Sequence, residues 1–296
     1  MRLDGVFAGG GVKAFAFIGA LQVIEKKGYS FERVAGTSAG SIMAALIKAG
    51  YTAEELYSIF MPLQLDTLLE KNRMTTYFPW LSWFSIYWKL GLYKGDKLEY
   101  WLRELLARKK IYRFGDLPEG TLKIVASDVT GGRIFILPDD LPKYGRHPES
   151  FSIARAVKMS CMLPYVFQPD KLKTGKKKSS LIVDGGILSN FPIWLFKEGN
   201  VSKYKRPVIG FQLSPKLTEE QGSKDIHNGI QLYQSLFETM RKAHDLRYID
   251  KNEAKNVVFL PADHIKSTQF DVSDEQRQEL ICKGRKATET FLKKWC

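Results

Sequence analysis

The feature that most restricts the possible folds is a glycine-flanked serine turn at residues 36–40, which read G-T-S-A-G. Two small or apolar residues, Val34 and Ala35, precede it, and an apolar helical pattern follows at residues 41–50. A strand, a sharp turn and a helix with serine at the apex is the arrangement that a G-x-S-x-G segment requires. Only small residues let the strand and the helix pass each other at such a strained turn. The pattern therefore predicts that the hydroxyl of Ser38 stands clear of a sheet.

A second unit of strand, glycines and helix begins the chain. Residues 3–8 read as a strand, residues 9–11 are three consecutive glycines, and residues 14–24 carry apolar side chains at helical spacing. With the serine turn, this gives the order strand–helix–strand–helix, which favours a parallel sheet with covering helices. We therefore predict an α/β fold, in which a central, mostly parallel sheet is flanked by helices in three α/β/α layers. Later strand patterns lie at residues 122–129, 133–137, 180–183, 208–213 and 257–260, and later helical patterns at residues 52–69, 96–109, 153–160, 230–249 and 273–295.

The composition is that of a globular protein with a basic surface. Neither repeats nor a break in composition divides the 296 residues, of which 44% are hydrophobic, so we expect a single domain over residues 1–296. The formal net charge is +13. Such an excess indicates an anionic partner, which the charge alone leaves open as a phospholipid surface, a nucleic acid or an acidic small molecule.

Three features of the sequence favour the cytoplasm. The cysteines Cys161, Cys282 and Cys296 are odd in number and scattered, which fits a reducing compartment, and their spacing matches no metal site. No run reaches the roughly 18 apolar residues that a membrane span needs. The first eight residues are soon interrupted by glycines and do not resemble a signal peptide. We therefore expect a cytoplasmic protein.

An aromatic segment at residues 70–95 differs from the rest of the chain. Residues 77–94 contain three tryptophans and three tyrosines but no acidic residue. Aromatic rings with a polar edge favour the lipid–water interface, and lysines often flank that zone. The same composition is typical of a cap that packs beside an active site. We expect a cap or lid insertion at residues 70–95, and the alternative of contact with an anionic membrane surface, which would make the protein peripheral, stays open.

Ester cleavage by a serine needs a nucleophile, donors for the oxyanion and a base. Ser38 is the candidate nucleophile. Gly9, Gly10 and Gly11 precede a helix, and consecutive glycines let backbone N–H groups turn toward a single anion. The N–H of Ala39, the residue after the nucleophile, is a further candidate donor.

Two residues qualify as the base. Asp184 ends an apolar strand and is followed by two glycines, which let the backbone approach a neighbour closely. His264 comes late in the chain after a strand, where a Ser-Asp-His triad on an α/β sheet would have its histidine. The remaining histidines, His147, His227 and His244, stand in polar surroundings typical of a protein surface.

These segments together resemble the signature of patatin-like phospholipases. The resemblance rests on residues 9–13 (G-G-G-V-K), residues 36–40 and residues 184–192 (D-G-G-I-L-S-N-F-P). Residues 154–167 are similar to the family's helix and proline turn between its two catalytic motifs, and residues 268–295 to the end of its bacterial members.

The resemblance implies hydrolysis of a lipid acyl ester by a Ser38–Asp184 dyad without histidine. It implies an acyl-enzyme on Ser38, no cofactor or metal, and a phospholipid or other lipid rather than a nucleic acid as the partner. Two positions depart from the family pattern. Ala14 stands where glycine is usual, and residues 158–162 replace small residues before the proline turn.

Two alternatives belong to other classes. Gly9, Gly11 and Ala14 match the G-x-G-x-x-A pattern that binds dinucleotides after a first strand. That site also needs an acidic residue at the end of the second strand, whereas Glu32 stands before the strand here, and it leaves the serine turn without a role. A catalytically silent lipid-binding relative is the other alternative, which the intact serine and aspartate disfavour.

Overall fold

The structure is a computed structural model. It describes residues 1–69, 87–174, 178–197, 204–213, 226–227, 232, 235–237, 239–240, 254–262, 269 and 271–295. Most of the helix predicted at residues 230–249, residues 70–86 of the predicted cap and His264 lie outside these residues. The prediction of one domain with a cap at residues 70–95 therefore stays a prediction.

Strands and helices alternate at the start of the chain and mix less regularly later. The strands are β1 (Arg2–Phe7), β2 (Ser30–Thr37), β3 (Gly91–Tyr93), β4 (Leu122–Asp128), β5 (Arg133–Leu137), β6 (Tyr165–Phe167), β7 (Asp170–Thr174), β8 (Lys178–Asp184), β9 (Val208–Gln212) and β10 (Val257–Phe259). The helices are α1 (Phe15–Lys26), α2 (Ala39–Lys48), α3 (Ala53–Phe60), α4 (Asp96–Arg108), α5 (Ile153–Ser160) and α6 (Asp274–Trp295).

A sheet of eight strands forms the centre of the described part of the chain. Parallel pairs join β10 to β9, β9 to β1, β1 to β2 and β2 to β4. Antiparallel pairs join β4 to β5, β4 to β8 and β8 to β7. The sheet is therefore mixed, with its parallel part built by the first two strand–helix units. Strands β3 and β6 form a separate parallel pair.

Strand β4 has three neighbours. Strand β5 pairs with residues 124–128 and so occupies one edge of that stretch. Strand β2 pairs as far as Val125, which lies opposite Thr37, and β8 pairs from Ala126, which lies opposite Asp184. Because a strand has only two edges for hydrogen bonding, β2 and β8 share the second edge of β4. Their carboxyl-terminal ends therefore meet.

Apolar side chains cover both faces of the sheet. Phe7 of β1 packs with its ring edge-on to Phe17 of α1, at 5.4 Å between ring centroids, in the larger of two buried clusters. Its neighbours Val6 and Ala8 point to the opposite face and join a second cluster that includes Phe191. Successive strand residues thus face different layers, as the pleat requires.

The predicted α/β class is confirmed, with helices flanking a mixed sheet. Helix α3 begins at Ala53, one residue after the predicted start, with Thr52 as its N-cap and Glu55 completing a capping box. The helix predicted at residues 52–69 is too long, because α3 ends at Phe60. Pro62 explains the difference, since proline has no N–H with which to continue the hydrogen bonds of the helix. Among the described residues, no helix has the length and apolar character needed to cross a membrane.

Candidate active site

Ser38 stands at the turn between β2 and α2 with a strained backbone. Its φ of 51° and ψ of −128° lie in a region that residues other than glycine rarely adopt. A Cβ atom on Gly36 would lie 2.3 Å from the carbonyl oxygen of Gly40, and one on Gly40 would lie 2.2 Å from that of Phe7. Glycine is thus required on both sides of the serine. The side chain of Ser38 is half-buried.

Helix α2 begins immediately behind this turn. The backbone N–H and the hydroxyl of Ser41 both donate to the carbonyl oxygen of Ser38, at 2.8 and 2.6 Å. Ala39 is the first residue of α2. The positive end of the helix dipole therefore lies beside the Ser38 side chain, where it favours negative charge.

The glycine loop after β1 lies against the serine turn. A Cβ atom on Gly9 would come within 3.2 Å of Ser38 Cβ. The N–H of Gly9 donates to the carbonyl oxygen of Asn190 at 3.1 Å, so this N–H is already engaged. Gly11 has a φ of 57° and begins a short 3-10 turn that leads into α1. The sequence predicts all three glycines as donors, and the bond to Asn190 changes the role expected of Gly9.

Asp184 is buried at the end of β8, with 4% of its surface exposed. One carboxylate oxygen accepts the N–H of Gly186 at 2.7 Å. The backbone N–H of Asp184 donates to the carbonyl oxygen of Met162 at 2.9 Å. A Cβ atom on Gly185 would lie 2.9 Å from Thr37 Cγ2, so the aspartate loop packs directly on the residue before Ser38.

The segment after Asp184 connects the three motifs. The hydroxyl of Thr37 donates to the carbonyl oxygen of Ser189 at 3.0 Å, and the next residue, Asn190, accepts the N–H of Gly9. Residues 185–190 are therefore bonded to both the serine turn and the glycine loop. The structure brings all the candidate residues Ser38, Asp184, Gly9–Gly11 and Ala39 to one edge of the sheet.

Cys161 lies beside both Ser38 and Asp184. Burial raises the pKa of the Cys161 thiol, the charge of the Asp184 carboxylate raises it further, and hydrogen bonds with Ser41 and Ser38 oppose the shift. The thiol therefore stays protonated and does not compete with the serine as a nucleophile. Its position shows that Ser38 and Asp184 share a neighbour.

The chain matches a known protein family over most of its length. Residues 5–197 match the family described as patatin-like phospholipase, which is more than half of the chain. The chain belongs to the patatin-like phospholipase family. The matched range of this patatin-like chain contains the glycine loop, the serine turn and Asp184.

Relatives of this patatin-like chain occur in bacteria and in viruses. It is 48% identical over 295 residues to "Uncharacterized protein YqhO" of Bacillus subtilis, with 100% of this chain and 99% of that protein covered. It is 29% identical over 192 residues to "Probable lipid hydrolase 463L" of Invertebrate iridescent virus 6, with 64% of this chain and 61% of that protein covered.

A solved structure supports the fold. The type III effector protein ExoU of Pseudomonas aeruginosa matches 99% of this patatin-like chain with a TM-score of 0.53 at 16% identity. The chain spans 53% of that protein's length. At this identity the likeness concerns the fold alone.

The described residues of this patatin-like chain bear on one of the alternatives. His147 and His227 are exposed, whereas His264 lies outside the described residues, so the triad with His264 stays a prediction. Glu32 lies near the beginning of β2, whereas the glycine loop follows the other end of β1, so Glu32 is not at the strand end where a dinucleotide site needs its acid.

Sequence reasoning missed two residues of the site, Ser160 and Cys161. Both lie in the segment 158–162, and its departure from the family pattern was the only indication of these residues in the sequence. The sequence does not show that this segment contacts Ser38, because Ser160 and Ser38 are 122 positions apart.

Proposed function

We propose that this chain is a lipid acyl hydrolase, in which Ser38 is the nucleophile and Asp184 the base. The observation that carries the proposal is the meeting of β2 and β8 on one edge of β4. It puts a strained serine and a buried carboxylate at adjacent strand ends. Membership of the patatin-like phospholipase family and the similarity to a probable lipid hydrolase support the class of substrate.

In the proposed first step, the Asp184 carboxylate accepts the proton of the Ser38 hydroxyl as its oxygen attacks the ester carbonyl carbon. The carbonyl oxygen becomes an oxyanion. The bond to the leaving alcohol then breaks, and protonated Asp184 gives its proton to that oxygen, which leaves an acyl group on Ser38. In the second half of the reaction, Asp184 takes a proton from water as its oxygen attacks the acyl-enzyme. The bond to Ser38 then breaks, the Ser38 oxygen receives the proton from Asp184, and the fatty acid is released.

The proposed oxyanion donors are the N–H groups of Gly10, Gly11 and Ala39. Gly9 takes a different part in this proposal, because its N–H holds the Asn190 carbonyl oxygen and its missing side chain leaves space beside Ser38. The α2 dipole adds to the donors at Ala39. Each donor of this kind contributes roughly 3 kcal/mol to stabilisation of the transition state.

We further propose that the enzyme works at a lipid–water interface. Tyr87, Trp88 and Leu90 are exposed by 75%, 74% and 42%, and Lys89 beside them is also exposed. Gly91 of β3 pairs with Tyr165, which follows the site segment at Met162 by three residues. This patch therefore lies close to the proposed dyad, and the net charge of +13 favours an anionic surface.

The direct test replaces each member of the dyad. We expect Ser38→Ala and Asp184→Asn each to lower turnover of a lipid ester by on the order of 10³-fold or more while the protein stays folded. Matched controls are Ser58→Ala, an exposed serine on α3, and Asp139→Asn, a carboxylate paired with Lys123 at the surface. Both controls should keep wild-type turnover. Appreciable activity in either dyad variant would contradict the proposal.

Two further measurements separate the alternatives. A fluorophosphonate probe should label wild-type protein at Ser38, and the label should be absent from Ser38→Ala. His264→Ala should leave turnover nearly unchanged, and a large loss would instead support a Ser-Asp-His triad. Release of fatty acid from a panel of phospholipids and neutral lipid esters would identify the substrate.

A further inference from the structure

The end of helix α5 reaches both members of the proposed dyad through three consecutive residues. The hydroxyl oxygen of Ser160 accepts the backbone N–H of Ser38 at 2.8 Å. The sulfur of Cys161 lies 4.0 Å from the hydroxyl oxygen of Ser41, which donates to the carbonyl oxygen of Ser38. The carbonyl oxygen of Met162 accepts the backbone N–H of Asp184 at 2.9 Å. Ser160 and Met162 thus bind the backbone N–H groups of Ser38 and Asp184, and Cys161 contacts the serine turn between them.

Ser160 connects two backbone groups at the point where β2 leaves the sheet. Its hydroxyl is fully buried and donates to the carbonyl oxygen of Val125 at 2.5 Å while it accepts from Ser38. Val125 is the β4 partner of Thr37, the last residue of β2. The Ser160 hydroxyl therefore links Ser38, the residue after β2, to β4. This side-chain link extends the pairing of β2 and β4 by one residue beyond the end of their backbone hydrogen bonds. Strained residues persist when several contacts fix them, and this bond is one of those that fix Ser38.

Cys161 packs next to this bond. Its sulfur lies 4.0 Å from the Ser41 hydroxyl oxygen, which itself donates to the carbonyl oxygen of Ser38. Ser160 and Cys161 therefore hold the serine turn from the α5 side, while Ser41 holds it from within α2.

The opposite face of α5 is anchored by a buried ionic cluster. Lys158 lies two residues before Ser160, which places it on the other side of the helix. Its ammonium contacts Glu99 of α4 at 2.6 Å and Asp170 of β7 at 3.2 Å, and Arg155 contacts the same Asp170 at 2.8 Å. The end of α5 is thus fixed between this cluster and the serine turn.

We propose that residues 160–162 form a positioning segment that sets the direction of the Ser38 hydroxyl toward Asp184, with Ser160 as the principal positioning residue. The inference rests on the proposed function and gives a physical reason for the alignment of Ser38 with Asp184. Both are held by one short piece of chain, so a shift of α5 moves the serine turn relative to the carboxylate.

The test is Ser160→Ala, measured by separate kcat and KM values and by the rate of fluorophosphonate labelling. The variant removes the acceptor of the Ser38 N–H and the donor to Val125. We expect kcat and the labelling rate to fall by about 10- to 100-fold with KM nearly unchanged, because small displacements of reacting groups cost about this much. Ser160→Thr, which keeps the hydroxyl, should recover most of the loss.

A matched control removes another buried hydroxyl far from the site. Thr288 of α6 is fully buried and donates to the carbonyl oxygen of Gly284 at 2.8 Å. Thr288→Val should lower Tm without lowering kcat. If Thr288→Val lowered both Tm and kcat as much as Ser160→Ala does, the inference would be overturned, since the loss of kcat would then follow from lost stability alone.

The outcomes distinguish this inference from the proposed function. Wild-type kcat in Ser160→Ala, with Ser38→Ala inactive, would reject the positioning segment and leave the dyad intact. Activity in Ser38→Ala would reject both. If Ser160→Ala does not fold, Cys161→Ala takes its place with an expected loss of about 3- to 10-fold in kcat. Wild-type kcat in that variant would reject the segment.

Discussion

The glycines around Ser38 show how single residues fix the site. The atoms that a new side chain would meet at Gly36 and Gly40 belong to the backbone of α2 and β1. Backbone atoms cannot rotate away as a long side chain can, so the elements themselves would have to separate. The serine turn therefore depends on a spacing between β1, β2 and α2 that only glycine permits.

We expect Gly40→Ala to abolish activity and to destabilise the fold, because the added methyl group would lie 2.2 Å from the Phe7 carbonyl oxygen. The loss of unfolding free energy should exceed about 3 kcal/mol, as for other severe overpacking. Gly120→Ala is the control. Gly120 has nothing within 4 Å of the new atom but a φ of +69°, so we expect a cost of only about 1 kcal/mol and normal activity. Denaturant unfolding measures both, and similar losses in the two variants would contradict this account.

The residues of the site differ in how far the sequence could reveal them. Ser38, Asp184 and the glycine loop belong to local patterns, since a small-residue turn or a strand end is visible in a few neighbouring positions. Ser160 has no such pattern. Its importance comes from a contact with Ser38, and a single serine at the end of a helix is typical of many helices. The engagement of the Gly9 N–H by Asn190 is likewise a tertiary contact that glycine spacing does not predict.

Helix α5 carries a buried cation on the side that faces away from the serine turn. The Lys158 side chain is 10% exposed, and its ammonium is held by Glu99 and Asp170, whose side chains are 15% and 6% exposed. A buried carboxylate that loses a cationic partner is costly, so the cluster stabilises the packing of α5 against α4 and β7.

Lys158→Met tests this dependence. The variant removes the buried ammonium from Glu99 and Asp170, which keep only the more exposed Arg103 and Arg155 as cationic partners, and we expect the unfolding free energy to fall by about 3 kcal/mol. Lys143→Met is the control, because the Lys143 side chain is 64% exposed in its pair with Asp140 on a surface turn. Its loss should stay below about 1 kcal/mol. Equal losses in the two variants would show that the cluster contributes no more than a surface ion pair.

The same cluster predicts a pH dependence. Burial alone lowers the pKa of Lys158, but the hydrogen bond with Glu99 and the charges of Asp170 and Glu99 outweigh it and hold the pKa above its ordinary value. A raised lysine pKa in the folded state stabilises the protein fully below the unfolded value and is lost as pH rises through the folded value. The stability difference between wild type and Lys158→Met should therefore be constant near neutral pH and shrink only above about pH 10.4.

The elements were predictable where their signal is local. Periodicity predicts α4, α5 and α6 closely, and it predicts the start of α3 to within one residue. The pairing of β8 could not be predicted in this way. Its apolar pattern predicts a strand, but it does not indicate that the strand runs antiparallel to β4 or that its end meets the end of β2. Strand β6 is only three residues long and pairs with β3 across a wide separation in sequence, so its short pattern reads as a turn.

At the scale of the whole molecule, the charge and the exposed aromatic residues point to the same kind of surface. The net charge is +13, and the patch formed by Tyr87, Trp88 and Leu90 lies near the strand pair that leads to the site. Tyr87 and Trp88 contact each other edge-on, with ring centroids 5.3 Å apart, and remain about three-quarters exposed. Rings in this position can enter the headgroup region together, while basic residues approach anionic lipid.

We therefore expect the protein to co-sediment with vesicles that contain about 30 mol% anionic lipid, and to bind neutral vesicles much more weakly. Raising the salt concentration from about 0.1 M to about 1 M should weaken binding, because the charge contribution is screened.

The double variant Tyr87→Ala/Trp88→Ala should lower the partition coefficient by roughly 10-fold or more, since each ring loses apolar contact with the bilayer. Tyr112→Ala, which removes an aromatic residue exposed by 49% elsewhere on the surface, is the matched control and should bind as wild type. Binding that is independent of both anionic lipid and salt would contradict the electrostatic part of the proposal. Equal losses of binding in Tyr87→Ala/Trp88→Ala and in Tyr112→Ala would contradict the role of this patch. Because hydrolysis of a water-soluble ester does not require docking, the double variant should keep its turnover of such a substrate while its turnover of vesicle lipid falls, which separates docking from catalysis.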